Sequence, residues 1–214
     1  RTWIAAWEEW IADLDRALAR ERIPLIPNVG ALATTWDNTN YGLTAGVFCE
    51  GFLDPGLATG DWMSAANQTM SLARDRIVIL QNSLKSPDDV AKRKYLLGSY
   101  LLVKGARTYL AYFASGALEW YPEWDLELGA PVRPVGTLDT LAWRGVYRRD
   151  FQKGIVLVNP GTAHLQIDLD ATARRVELRG GGPVAATGAA SRLLETTPVS
   201  RIDLAPKSAE ILLR

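Results

Sequence analysis

Gly46-Val47-Phe48-Cys49-Glu50-Gly51 decides how this chain is read: three apolar residues after a glycine, closed by a carboxylate and a second glycine. A short apolar run without polar alternation fits a strand covered on both sides, as in parallel sheets lined by helices. The flanks read as helix. Upstream, Trp3, Ile4, Trp7, Trp10, Ile11, Leu14 and Leu18 recur every three or four residues from Thr2 to Glu21, so the three tryptophans share one face and are expected in the core. Ile23 to Val29 then reads as a strand before Gly30, and a Thr-, Asn- and Asp-rich loop runs from Ala31 to Thr44. Downstream, Asp61 opens a helix to about Arg74, and Arg76 to Leu80 forms a strand ending in Gln81-Asn82. Ser86-Pro87-Asp88-Asp89 starts a helix to about Lys104, and Arg107 to Phe113 forms a further strand.

Helix and strand thus alternate through residue 113 with four strands, which implies parallel strands joined by crossover helices. Ala114 to Leu141 lacks periodicity and reads as a long loop. From Trp143 onward short strand-like runs follow, with Asp150 to Gly154 as a hairpin connection and Gly180-Gly181-Gly182-Pro183 as a loop. The expected fold is α/β: residues 1–141 as half of a (β/α)8 TIM barrel, residues 142–214 as a small antiparallel β-domain. A complete barrel takes about 250 residues, and half of one leaves two strand edges open. A complementary N-terminal barrel half, in the same polypeptide or another chain, is therefore an expected partner, and Arg1, inside a helical pattern, reads as an internal boundary of a longer polypeptide.

Composition narrows the function. The 214 residues carry 24 basic and 24 acidic side chains, which argues against a phosphate-tracking surface and so against nucleic-acid binding. The charge is uneven: 13 basic and 17 acidic side chains lie before residue 143, 11 and 7 after it. One His and one Cys cannot build a Cys/His zinc site or an internal disulfide, and carboxylates become the default catalytic groups. No run reaches the roughly 18 apolar residues of a membrane span.

Glu50 is the leading candidate. It ends the most apolar strand, at the end where parallel barrels carry their active sites, and a carboxylate there is costly without a task or a partner. The competing reading is a strand-end Glu salt-bridged to an arginine. Asn28 and Gln81-Asn82 end the neighbouring strands, so amide, carboxylate and amide share one rim, a set able to hydrogen-bond sugar hydroxyls; Asn82 reads equally well as a cap. Trp36, Tyr41, Phe52 and Trp62 flank these strand ends. Trp120 and Trp124 lie among Glu119, Glu123 and Asp125, where they suit a carbohydrate cleft or pack the loop against the following β-region. Cys49 should point away from Glu50 into the core, and His164 reads as an ordinary surface or strand histidine.

Ile26-Pro27-Asn28, the run from Gly46 to Phe52, Lys94 to Leu102, Tyr121 to Pro131, Tyr147 to Phe151 and Val156 to Pro160 resemble the hypothetical glycosyl-hydrolase-like TIM-barrel proteins of microbes over about residues 1–170. The resemblance implies barrel strands five to eight followed by a small β-sandwich, Glu50 as a catalytic carboxylate, and no metal or organic cofactor.

The expected activity is hydrolysis of an oligo- or polysaccharide by two carboxylates, with Glu50 as general acid/base and the second from the other barrel half, or locally from Asp37, Asp54 or Glu123. Asn28, Trp36, Tyr41, Gln81, Tyr112, Trp120 and Trp124 would bind sugar rings. The alternative is a noncatalytic carbohydrate-binding protein with the same cleft. An extracellular or periplasmic location follows from the substrate class alone.

Overall fold

The computed structural model describes residues 2–30, 43–134, 136–190 and 194–214. Helix α1 (Trp3–Arg20) begins at Thr2, whose hydroxyl accepts the Ala5 N–H at 3.3 Å. Strands β1 (Gly46–Cys49), β2 (Ile77–Ser83) and β3 (Thr108–Phe113) form a parallel sheet in that order, with α2 (Thr59–Leu72) and α3 (Val90–Val103) as crossovers. Strand β4 (Glu119–Trp120) follows, then two 3-10 turns at Pro122–Asp125 and Leu138–Leu141, then β5 (Ala142–Trp143), β6 (Val146–Phe151), β7 (Gly154–Asn159), β8 (Leu165–Leu178), β9 (Gly182–Pro183), β10 (Leu194–Leu204) and β11 (Ser208–Leu213). Six of these make one antiparallel sheet, ordered β10-β8-β11-β7-β6-β5, and β4 pairs with β9.

This corrects the expected fold. The described residues form no half TIM barrel followed by a β-sandwich: parallel pairing stops at three strands, and the larger sheet is antiparallel. Ile23 to Val29 contributes only the bridge from Asn28 to Phe48. Pro24 and Pro27 remove two backbone donors there, which a ladder cannot spare. Downstream, β8 is one 14-residue strand where the sequence shows two short runs, and β10 is longer than its apolar end. In place of a second sheet, α3 covers one face: Val156, Val158, Ala209 and Ile211 join the same core as Leu97, Leu101 and Leu102. Leu157 and Leu212 alternate to the opposite face and pack with Ile167, Ile202 and Leu204.

Helix α3 is buried nearly all round, as a helix clamped between two sheets must be. Gly98 sets its approach to β11, since a Cβ there would lie 2.4 Å from the Ala209 Cβ. Gly98→Val should destabilise the fold by about 1–3 kcal/mol through overpacking, read as a lowered urea midpoint; an unchanged midpoint would mean the two layers can separate freely.

Three consecutive cations on α3 break its apolar character. Successive helical side chains diverge by about 100°, so Lys92, Arg93 and Lys94 reach three directions: Lys92 meets Asp54 after β1, Arg93 meets Glu123 after β3, and Lys94 meets Glu210 on β11, each at 2.6 Å. The helix is thereby fastened to both sheets and to the loop that follows Glu50.

Helix α1 departs from expectation as well. Trp3 and Trp10 are 73% and 59% exposed, and Ile11 is its one buried residue. The amphipathic period is real, but among the described residues its tryptophans do not enter the core.

Candidate active site

Strand β1 ends at Cys49, in register with Leu80 of β2, so Glu50 and Gln81 stand side by side where pairing ends, and Gln81 is in register with Ala111 of β3. Side-chain alternation assigns the two sheet faces. Val47, Cys49, Val78, Leu80 and Tyr112 are buried on the helix side. The opposite face carries Phe48, Glu50, Ile79, Gln81, Tyr109, Ala111 and Phe113, with Tyr109 55% and Phe113 38% exposed. Cys49 is a buried core residue and Glu50 is exposed, as their opposed parities require.

Asn28 enters this rim through main-chain bonds around Phe48, which donates to the Pro27 carbonyl at 2.8 Å and accepts from the Val29 N–H at 2.9 Å. Its amide orientation is fixed from both ends. The Oδ1 accepts the Gly30 N–H at 2.9 Å, leaving Nδ2 to donate to Glu50 Oε1 at 2.9 Å. Glu50 has no arginine or lysine partner among the described residues.

The following loop is held rigidly. Gly51 takes a φ of 65° and Leu53, a residue with a Cβ, a φ of 38°, a strained conformation that surrounding packing must enforce. Phe52 and Leu53 are buried beneath it. Phe52 N–H donates to the Gln81 carbonyl at 3.0 Å, and Asn82 Nδ2 donates to the Phe52 carbonyl at 2.7 Å, so Asn82 is a loop fastener.

Asp54 closes the loop, accepting from Lys92 Nζ at 2.6 Å and from the Gly56 N–H at 2.9 Å. Burial opposes its charge, but the Lys92 bond, the Gly56 N–H and the Lys92 charge hold its carboxyl below the usual range. A depressed carboxylate contributes stability above its unfolded pKa of about 3.9, lost as pH falls through the lower folded value. The deficit of Lys92→Met relative to wild type should therefore shrink in acid, compared as urea midpoints at neutral and acidic pH; a constant deficit would mean that the lysine acts by packing alone.

The other sequence candidates are placed as follows. Glu123 is fully buried: Arg93 grips it through Nε at 2.8 Å and NH2 at 2.6 Å, and the Tyr112 hydroxyl donates to the same carboxylate. Burial and the neighbouring Glu123 hold that tyrosine well above its ordinary pKa, so it donates rather than ionises. Tyr112, Trp120, Tyr121 and Trp124 pack ring on ring with centroids 4.9–5.5 Å apart. With β4 paired to β9, this cluster fastens the loop to the glycine turn of the β-region, and Arg93 NH1 adds a bond to the Gly180 carbonyl at 2.8 Å. Trp62 is buried and stacks on Tyr147. His164 is exposed on the β-region. Asp37, Trp36 and Tyr41 lie outside the described residues. Phe113 and Tyr109 were not singled out from sequence; in the strand pattern of β3 they look like core, and only the register with β2 puts them on the face of Glu50.

Among the described residues no three His, Cys, Asp or Glu side chains stand together to hold a metal ion, and no helix is long and apolar enough to cross a membrane.

A model of the hypothetical glycosyl hydrolase family 15 matches residues 1–155, spanning the parallel sheet, its helices and the start of β7. The chain belongs to this family. No curated protein matches it. The match to hypothetical glycosyl hydrolase family 15 includes Asn28, Glu50 and Gln81.

Proposed function

We propose that the chain takes part in hydrolysis of a glycosidic bond in an oligo- or polysaccharide, with Glu50 as the general acid/base. The observation that carries this is the 2.9 Å bond from Asn28 Nδ2 to Glu50 Oε1, at the ends of adjoining strands, with no cation paired to the carboxylate among the described residues. One oxygen is thereby positioned and the other left to a leaving group or water, as proton transfer requires. Gln81 beside it offers a donor and an acceptor for a sugar hydroxyl, and Phe113 offers an exposed ring on the same face.

Glycoside hydrolysis needs a second carboxylate. Glu123 is committed to Arg93 and Tyr112 and does not serve. Asp54 stays ionised beside Lys92, and Asp37 is the remaining local candidate. The test is turnover of a panel of unactivated oligosaccharides and polysaccharides by the full-length polypeptide and by Glu50→Gln, Asp54→Asn and Asp37→Asn. Loss of turnover in Glu50→Gln with sugar binding retained supports the reading, and turnover equal to wild type removes it. A wild-type protein that binds but cleaves nothing supports the noncatalytic carbohydrate-binding alternative.

A further inference from the structure

Two adjoining cavities of about 650 and 670 Å³ lie between the end of α3, the segment around Pro134 and strand β6. Both are lined by Val132, Arg133, Pro134 and Arg149. The first adds Arg148 and Arg214, the second Arg74 and Lys104, so six cations face them against one carboxylate, Asp150. Asp150 is already shared: Arg148 holds it through Nε and NH2 at 2.9 Å each, and Arg214 donates to it as well.

Arg149, at the junction, is 4% exposed. Its NH1 donates to the carbonyls of Leu101, Leu102 and Lys104 at 2.8–2.9 Å, which caps the C-terminus of α3, and no carboxylate pairs with it among the described residues. Burial pushes this guanidinium down to about 10. Helix-end carbonyls offset part of one charge, and a buried cation without a full counter-charge is costly. An oxyanion in the cavities would supply that counter-charge, and arginine forks match its geometry.

We propose that these cavities bind an oxyanionic group, a phosphate, sulfate or carboxylate, free or carried on a larger molecule. Arg149 holds it from the α3 side of β6 and Arg133, which lines both cavities, closes from the exposed side, while Arg148, on the opposite face of β6, lines the first cavity and adds to its positive field. The site stands apart from Glu50. Arg74 precedes β2 and Lys104 precedes β3, at the N-terminal end of the parallel sheet, whereas Glu50 stands at the C-terminal end of β1. Its occupant is therefore an anchoring or regulatory anion, and the inference does not depend on the proposed activity.

The test is a titration of the full chain with sodium phosphate, sodium sulfate and a galacturonate oligomer, read by thermal shift and calorimetry, with sodium chloride at matched ionic strength as control. At least one anion should raise the melting temperature saturably where chloride does not, with phosphate or sulfate indicating a free ion and the oligomer alone indicating a carried carboxylate. Arg133→Ala and Arg148→Gln, which leave the α3 cap in place, should each weaken binding about tenfold, and Glu50→Gln should bind as wild type. Shifts no larger than those of chloride, or undiminished binding by both arginine variants, would overturn the proposal.

Discussion

Replacing Arg93 by methionine should destabilise the protein by about 3–5 kcal/mol, because it strands a buried carboxylate. Both partners of this pair are fully buried. Burial alone would pull the guanidinium pKa down, but the hydrogen bonds and charge of Glu123 hold it above its ordinary value. Arg93 spends its donors on four acceptors: two Glu123 oxygens and the carbonyls of Pro87 and Gly180. Removing it uncouples α3 from the segment after β3 and from the glycine turn at once. At roughly 2–4 °C per kcal/mol for a chain of this size, the melting temperature should fall by about 6–20 °C. Glu123→Gln should cost a similar amount, and Arg93→Met with Glu123→Leu should recover much of either loss, since no buried charge is then left unpaired. Single variants within about 1 kcal/mol of wild type would show that water reaches the pair.

The second large effect is on catalysis. Glu50→Gln keeps the shape of the side chain and loses the proton, so turnover should fall by about 10²–10⁴-fold while substrate binding persists. Asn28→Ala should act in the same direction more weakly: it removes the donor that fixes one carboxylate oxygen, and a hydrogen bond to a charged group contributes about 1.5–3 kcal/mol at most, less where exposed. Stability should barely change in Glu50→Gln, because among the described residues the exposed carboxylate holds only the Asn28 amide. A variant that loses stability rather than turnover would place Glu50 among the fasteners of the loop.

The parts of the molecule readable from sequence are those decided by local pattern. Helices α1, α2 and α3, strands β1 to β3 and the hairpin at Gly154 follow from period and turn chemistry, although α2 starts at Thr59 without a side-chain cap rather than at Asp61 and α3 starts at Val90, capped by Asp89, rather than at Ser86-Pro87; the grouping of Asn28, Glu50 and Gln81 follows from strand order. What stayed hidden depends on partners distant in the chain. The segment 23–29 has strand-like side chains but prolines where a ladder needs donors. The tryptophans of α1 have helical spacing, and spacing does not say whether anything covers the face. Tyr112, Trp120 and Trp124 have the composition of a sugar cleft, yet a buried arginine one turn into α3 draws Tyr112 and Glu123 into a fastening network. The run Lys92-Arg93-Lys94 was the available signal, since three cations on an otherwise apolar helix each need a carboxylate.

The central claim is that Glu50 transfers the proton to the leaving group, and leaving-group dependence tests it most directly. First-turnover release is to be compared for a 2,4-dinitrophenyl glycoside, whose leaving group needs no proton, and an unactivated oligosaccharide of the same sugar. Glu50→Gln should retain the first reaction near the wild-type rate and lose the second by about 10²–10⁴-fold; equal rates for wild type and variant on both substrates would contradict the assignment.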